Sequence, residues 1–418
     1  MDSLQTIKKE VFKKRPVLQE IQKKFGGLKL RNYVKDAWEV PTKTPDAVFL
    51  NIVSFYAQSL FGQNIGEQVK SQLQKKPLVS TVSHLGIWGH PIFVNAELIY
   101  SLHFQPNELA VSLATESVSL NNTSSWSGSV LVHSDSVLKR YSFFPDKLKT
   151  LPVFSALAIN EDCINSFKKY YPEGFEKVLN ALKIDVNQKS FTSQACQTSY
   201  NLWQAVFPSA PKLIYLPLES IVNEYLLKIV DDNNIINQII FTKKGQELWQ
   251  KYFGQEHTFM FWSVDEKGRR KQLTKLSSRN EIYSLLEQRK LYPSSPLCFM
   301  VLLLTGFTCA GGFTQTTWLT EVKQKFINLL GDLNALSDAS LSVTAVPTKN
   351  FAESSLASLV INNEELQPTA LDLLFSGKDY YPEFLKRAQE ITLAESLDLA
   401  MPTIYKVVMP STSVKGHP

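Results

Sequence analysis

The sequence predicts an α/β protein: an open, mainly parallel sheet with helices on both faces and a helical N-terminal segment. Three observations lead there. Apolar runs of strand length alternate with longer stretches of helical spacing along most of the 418 residues. Two of these runs end in glycine-bearing turns that open into a helix, one at Gly86 and Gly89, the other at Gly306, Gly311 and Gly312. The start of the chain has no strand pattern and instead sets Ile7, Val11, Val17, Leu18 and Ile21 at helical spacing broken by Pro16. On this reading residues 1–75 are a helical segment, 76–235 a first α/β unit and 236–418 a second.

The elements follow in order. Asp46 to Lys75 continues the helical segment with an apolar stripe of Val48, Ile52, Phe55, Tyr56, Leu60 and Phe61. Leu78 to Val82 is a buried strand, and Pro91 suits the first turn of the next helix, where no amide donor is needed. Leu109 to Ala114 is a second strand, followed by a Ser/Thr/Asn-rich loop from Thr115 to Gly128. Lys139 to Ala158, with two prolines, crosses the surface, and Glu161 to Leu182 is helical. Leu213 to Leu216 is a third strand, broken by Pro217, before a helix from Glu219 to Val230. Asn237 to Phe241 is a further strand, and Thr258 to Ser278 a hairpin about Asp265-Glu266-Lys267-Gly268. Phe299 to Leu304 is a fully apolar strand that leads into the second glycine turn, with Thr314 capping the helix beyond. The tail alternates short strands and helices over Leu341 to Val346, Ala370 to Phe375 and Tyr381 to Glu395, and Val407 to Pro418 is a loose end.

Composition narrows the function. An apolar fraction of 44% and a charged fraction of 20% are those of an ordinary globular protein. A net charge of +5 is mild and does not argue for a nucleic-acid surface, which would need clustering on one face, so no nucleic-acid partner is expected. Cys163, Cys196, Cys298 and Cys309 form no CxxC, so neither a zinc knuckle nor a redox pair is indicated. Scattered cysteines and a basic start without the apolar core of a secretion signal point to the cytoplasm. The most apolar run, Leu297 to Ala310, is too short for a transmembrane segment. The expected partner is a small-molecule substrate, and the oligomeric state stays open.

Candidate site residues cluster at the two turns, because ligands of open α/β sheets bind where strands end and helices begin. His84 and His90 are candidates for proton transfer or ligand contact, with Gly86, Gly89 and Asn95 beside them. Two histidines about a turn also suit a purely structural tie. If the strands are parallel, Glu116, Asn121 and Asn122 fall at the same edge, with Glu116 as a third catalytic candidate. Glu219 at a helix start is a ligand candidate or a partner of the helix dipole. Gly311, Gly312, Thr314 and Gln315 form an anion-binding turn, or a tight packing contact. Cys309 is conceivable as a nucleophile next to a helix start, and Arg269 and Arg270 as anion contacts or ordinary exposed turn arginines. No HExxH, GxGxxG or P-loop pattern occurs, so no metal ligands are assigned. The cofactor stays open at this point, with a divalent metal the less favoured candidate.

Gly86, Gly89, Pro91 and Phe93 in the first turn, with Gly311, Gly312, Gln315 and Trp318 in the second, resemble the two glycine elements of the cysteine ligase family of bacillithiol biosynthesis. The resemblance is confined to these elements. His90 stands where that family has a small residue, the second element lacks the proline and the acid that follows it, and there is no counterpart of the family's coiled coil. The resemblance implies a Rossmann-like core and a ligase-like enzyme with a nucleotide site. The expectation is therefore a cytoplasmic small-molecule enzyme with an anion- or nucleotide-binding cleft between turns 84–91 and 306–316. The alternatives are a metal-dependent hydrolase or lyase using His84 and His90, and an interaction protein without chemistry on an enzyme-like fold.

Overall fold

A computed structural model describes residues 3–40, 44–122, 125–134, 136–171, 174–230, 234–254, 259–273, 278–333, 338–361 and 364–409. Its centre is a five-stranded sheet: β1 (Leu78–Ser80), β2 (Leu109–Ala114), β3 (Lys212–Pro217), β4 (Thr308–Gly311) and β5 (Asn350–Phe351). The order across the sheet is β5-β4-β1-β2-β3, and every neighbouring pair is parallel. The chain therefore starts in the middle, winds outward through β2 to β3, and returns to the other side of β1 for β4 and β5.

The two faces of the sheet differ in kind. Val79, Leu109, Val111, Leu113, Ile214, Leu216 and Cys309 lie in one apolar core. That core is completed by α1 (Ala47–Phe61), α4 (Leu218–Lys228), α5 (Ser295–Leu304) and α6 (Phe313–Asp332). The other face presents Ala110, Ala114, Tyr215 and Ala310, with Ser80 in register with Ser112 and Ser112 with Tyr215. It is covered by α2 (Pro91–Ser101) and α3 (Phe191–Val206). In LAVSLA the large residues take one face and the small ones the other, which is the strand period of two.

The N-terminal helices Leu4–Lys14 and Pro16–Phe25 form as expected, with Pro16 in the first turn of the second. Leu30 donates its amide to the Ile391 carbonyl and Leu393 donates to Leu28, tying the start of the chain to helix Leu393–Val408. The hairpin pairs Phe261–Val264 with Arg270–Gln272, and a third strand, Leu291–Pro293, joins it.

Several expected strands are helices. Phe299 to Leu304 lies inside α5, and the strand of the second turn is the shorter β4 beyond it. A buried helix and a buried strand share the same all-apolar pattern; Pro296 in the first turn and Gly306 (φ +85°) just past the end mark the helix. Asn237 to Phe241 lies in helix Ile235–Phe241, whose first turn is capped by Asn234. In the tail, where short strands and helices are expected to alternate, Leu341 to Val346 falls mainly in helix Asp338–Ala345, and Ala370 to Phe375 forms helix Ala370–Ser376, which a Thr369–Asp372 capping box begins. Lys139 to Ala158 starts in a second hairpin, Ser129–Ser134 with Val137–Ser142. Residues 410–418 of the tail lie outside the described residues. Among the described residues no helix is long and apolar enough to cross a membrane.

Candidate functional site

All five strands point their carboxyl ends to one edge, and the loops leaving that edge are laced together. The amide of Leu85 donates to the Thr115 carbonyl and that of Thr115 to Ser83, which sets His84 beside Thr115. Ile87 donates to Ser127, whose backbone passes so close to Gly86 that a Cβ there would meet it at 2.4 Å. Gly89 accepts from the Ala370 amide and faces the Ala370 side chain. The turn after β1 is thus held by the loop after β2, as the parallel topology requires.

His84 and His90 are brought together about Phe93, at ring distances of 5.5 and 5.7 Å, and Trp126 stands 6.1 Å from His90. His90 Nδ1 accepts the Ile92 amide at the start of α2, so in the neutral ring Nε2 carries the proton. Burial pushes both imidazoles down to about 4, and His84 is lowered further by its neighbour His90. Asn95 is committed elsewhere: its Oδ1 accepts from Leu356 and Ala357 at 2.7 Å and its Nδ2 donates to Pro91. Asn121 donates its amide to Lys149, and the Asn122 carbonyl accepts from Ser125 and Trp126, a turn that sets Trp126 at φ +47°.

Glu116 points away from the histidines. Its carboxylate accepts the Ser220 amide at 2.6 Å, in the first turn of α4, and the Thr192 hydroxyl at 3.1 Å. Glu219 answers from α4 by accepting the amides of Glu116 at 2.8 Å and Ser117 at 3.3 Å. Each carboxylate holds the other's backbone, and both are fully buried. Burial raises both, and the charge of Glu116 adds to the rise of Glu219, which reaches about 7. The guanidinium of Arg289 lies against the hydroxyls of Tyr56 and Tyr292, and its charge acts on Glu116. Arg270 donates to the Ser117 carbonyl and stacks 4.3 Å over Trp262.

The second glycine turn is filled by the protein itself. Phe313, the first residue of α6, donates its amide to Glu353 at 2.8 Å. A Cβ on Gly312 would stand 2.7 Å from that carboxylate, and one on Gly311 2.4 Å from Gln315 Oε1. The glycines make room for Glu353 and Gln315, and the anion seat at the helix start is taken by a carboxylate of the chain. A nucleotide phosphate does not fit there unless Glu353 leaves. Gln315 Nε2 donates to Thr81. Thr314 is exposed and lies inside the first turn of α6, and Glu353 takes the capping role expected of it. Cys309 is buried in β4, where burial pushes its thiol up to about 12, away from thiolate chemistry.

Sequence reasoning placed Glu97 on the helix after the first turn without giving it a role, and passed over Glu353, Arg289 and Tyr292. Glu97 sits in α2 over the small-residue face and accepts the hydroxyls of Ser83 at 2.7 Å and Ser112 at 3.0 Å; burial raises it to about 7. Its signal was a lone acid in an apolar helix facing strands whose small residues alternate. Glu353, Arg289 and Tyr292 had no local signal. Among the described residues no three His, Cys, Asp or Glu side chains stand close enough to hold a metal ion.

The fold and this edge define a class: a parallel α/β protein with buried imidazole and carboxyl groups at the carboxyl ends of its strands. No protein-family model matches the chain, and no curated protein is significantly similar to it.

Proposed function

We propose that this chain is a small-molecule enzyme on a Rossmann-like sheet, acting by acid–base chemistry at the carboxyl edge of β1, β2 and β3. The strand order supports the Rossmann-like reading, because it reverses at β1 as in doubly wound folds. One observation carries the chemistry. Two imidazoles held neutral and a carboxyl raised to about 7 share one edge, so a base and an acid are both present at neutral pH. His84 is the proton acceptor of this reading, His90, whose Nδ1 takes the Ile92 amide, holds the turn beside it, and the Glu116–Glu219 pair supplies the acid. Cysteines outside disulfides agree with a cytoplasmic setting.

A second reading, a binding module without chemistry, is favoured by the packing of both imidazoles on Phe93. The experiment incubates the purified protein with a defined library of small metabolites and scores depletion by mass spectrometry. A compound consumed by the wild type and spared by His84→Ala and Glu219→Gln supports the enzyme. A library left intact by the wild type, or consumed equally by both variants, favours the binding module.

A further inference from the structure

The helix Arg279–Glu287 ends in a backbone that asks for glycine and receives arginine. Arg289 has φ +53°, the left-handed region, and its amide donates back to Leu286 while that of Lys290 donates to Leu285. Glycine is the usual residue there, since a Cβ crowds the neighbouring carbonyl. A cation near a helix C-terminus suits the dipole, but the adjoining Lys290 offers that charge without the strain. The strained position therefore needs another reason, and the surroundings of the guanidinium supply one.

Arg289 is exposed, yet its guanidinium is steadied by the hydroxyls of Tyr56 and Tyr292. Among the described residues Arg269 pairs with Asp265 and Arg387 with Glu365, whereas Arg289 has no carboxylate within ion-pair distance. It borders a groove that also carries Lys267, Arg269 and Lys290 against Asp265 and Glu266. Asp265 is spent on Arg269 and on the amides of Lys267 and Arg269, which leaves the groove cationic. The planar fork of an arginine matches two oxygens of one oxyanion.

We propose that this groove is an oxyanion-binding site anchored by Arg289, and that it takes the phosphate or carboxylate group of a small ligand. Calling that ligand the substrate rests on the enzyme reading above; binding itself does not. Arg289 links this groove to the carboxyl pair, because it borders the groove and its charge acts on the buried Glu116.

The test titrates inorganic phosphate and malonate into wild type, Arg289→Gly and Arg289→Lys by isothermal calorimetry at fixed ionic strength. Glycine satisfies the backbone at this φ, so Arg289→Gly folds with an unchanged melting temperature, and its binding loss is not a folding loss. Saturable binding of one probe to wild type is expected, at least about tenfold weaker in Arg289→Gly and weakened in Arg289→Lys, which keeps charge but not the fork. Preference for phosphate or malonate identifies the head group. Failure of both probes to bind wild type, or equal binding to Arg289→Gly, overturns the site. Turnover lost in His84→Ala with oxyanion binding intact would leave this inference standing, and the enzyme reading is judged separately by its own assay.

Discussion

Three helices leave the carboxyl edge of the sheet, and their first turns are capped in two ways. The amides opening α4 and α6 are met by carboxylates from distant segments, Glu116 and Glu353. The amide opening α2 is met by the imidazole of the residue just before it, His90. A carboxylate at a helix start is favoured by the dipole, yet burial disfavours its charge. An imidazole accepts the same bond while neutral. Burial consequently moves the two kinds of cap in opposite directions, His90 down to about 4 and Glu353 up to about 7, toward the same uncharged state. One physical cause thus yields groups of opposite proton affinity at one edge.

The comparison breaks most severely at α4. Glu116→Ala leaves the Ser220 amide and the Thr192 hydroxyl without their acceptor, and a buried orphan donor costs about 2 kcal/mol. The urea midpoint should fall accordingly. Because the charge of Glu116 helps to raise Glu219, the Glu219 carboxyl should also titrate lower in this variant, read by carboxyl-carbon NMR. An unchanged midpoint and titration would show the pair to be independent.

The next test sharpens the opposition in pH. Glu97, Glu219 and Glu353 are raised to about 7 in the fold, so their contribution is present below about 4.5 and lost as pH rises through 7. His84, His90 and His103 are lowered to about 4, so theirs is present above 6.5 and lost as pH falls through 4. Between these limits the slopes oppose each other and stability changes little. Glu97→Gln removes one acid from the balance. Its melting temperature relative to wild type should climb from pH 4.5 to pH 8. A constant difference across that range would mean that Glu97 keeps an ordinary acidity.

The smallest effect is expected at His90. Asparagine is a good N-cap and can accept the Ile92 amide, so His90→Asn should keep stability within about 0.5 kcal/mol at pH 7. It should also lose one proton's worth of acid destabilisation below pH 6. A large loss at pH 7 would show that the ring contacts with Phe93 and Trp126, rather than the cap, hold the turn.

Local signals were readable where one segment supplies its own partners. Pro91, the hairpin turn at Asp265 to Gly268 and the strands β1, β2 and β3 all stand where periodicity and turn chemistry place them. Fully apolar segments were ambiguous, and α5 resolved as a helix because length and flanking proline and glycine outweigh hydrophobicity. The glycines of the second turn were visible as glycines, but their reason was not. Gly312 is small because Glu353, some forty residues later, needs the space.

By itself the sequence determined the alternation of strands and helices, the two glycine turns and the gathering of His84 and His90 at one of them, since these follow from neighbouring residues and the periods of two and 3.6. Only the tertiary structure decided which groups meet across the carboxyl edge. Glu116 with Ser220, Glu353 with Phe313 and Arg289 with Tyr56 are pairings of residues far apart in the chain. What selects them is the requirement that each buried amide and carboxylate find a partner. That requirement acts on the folded arrangement and leaves no local mark on the residues that meet it.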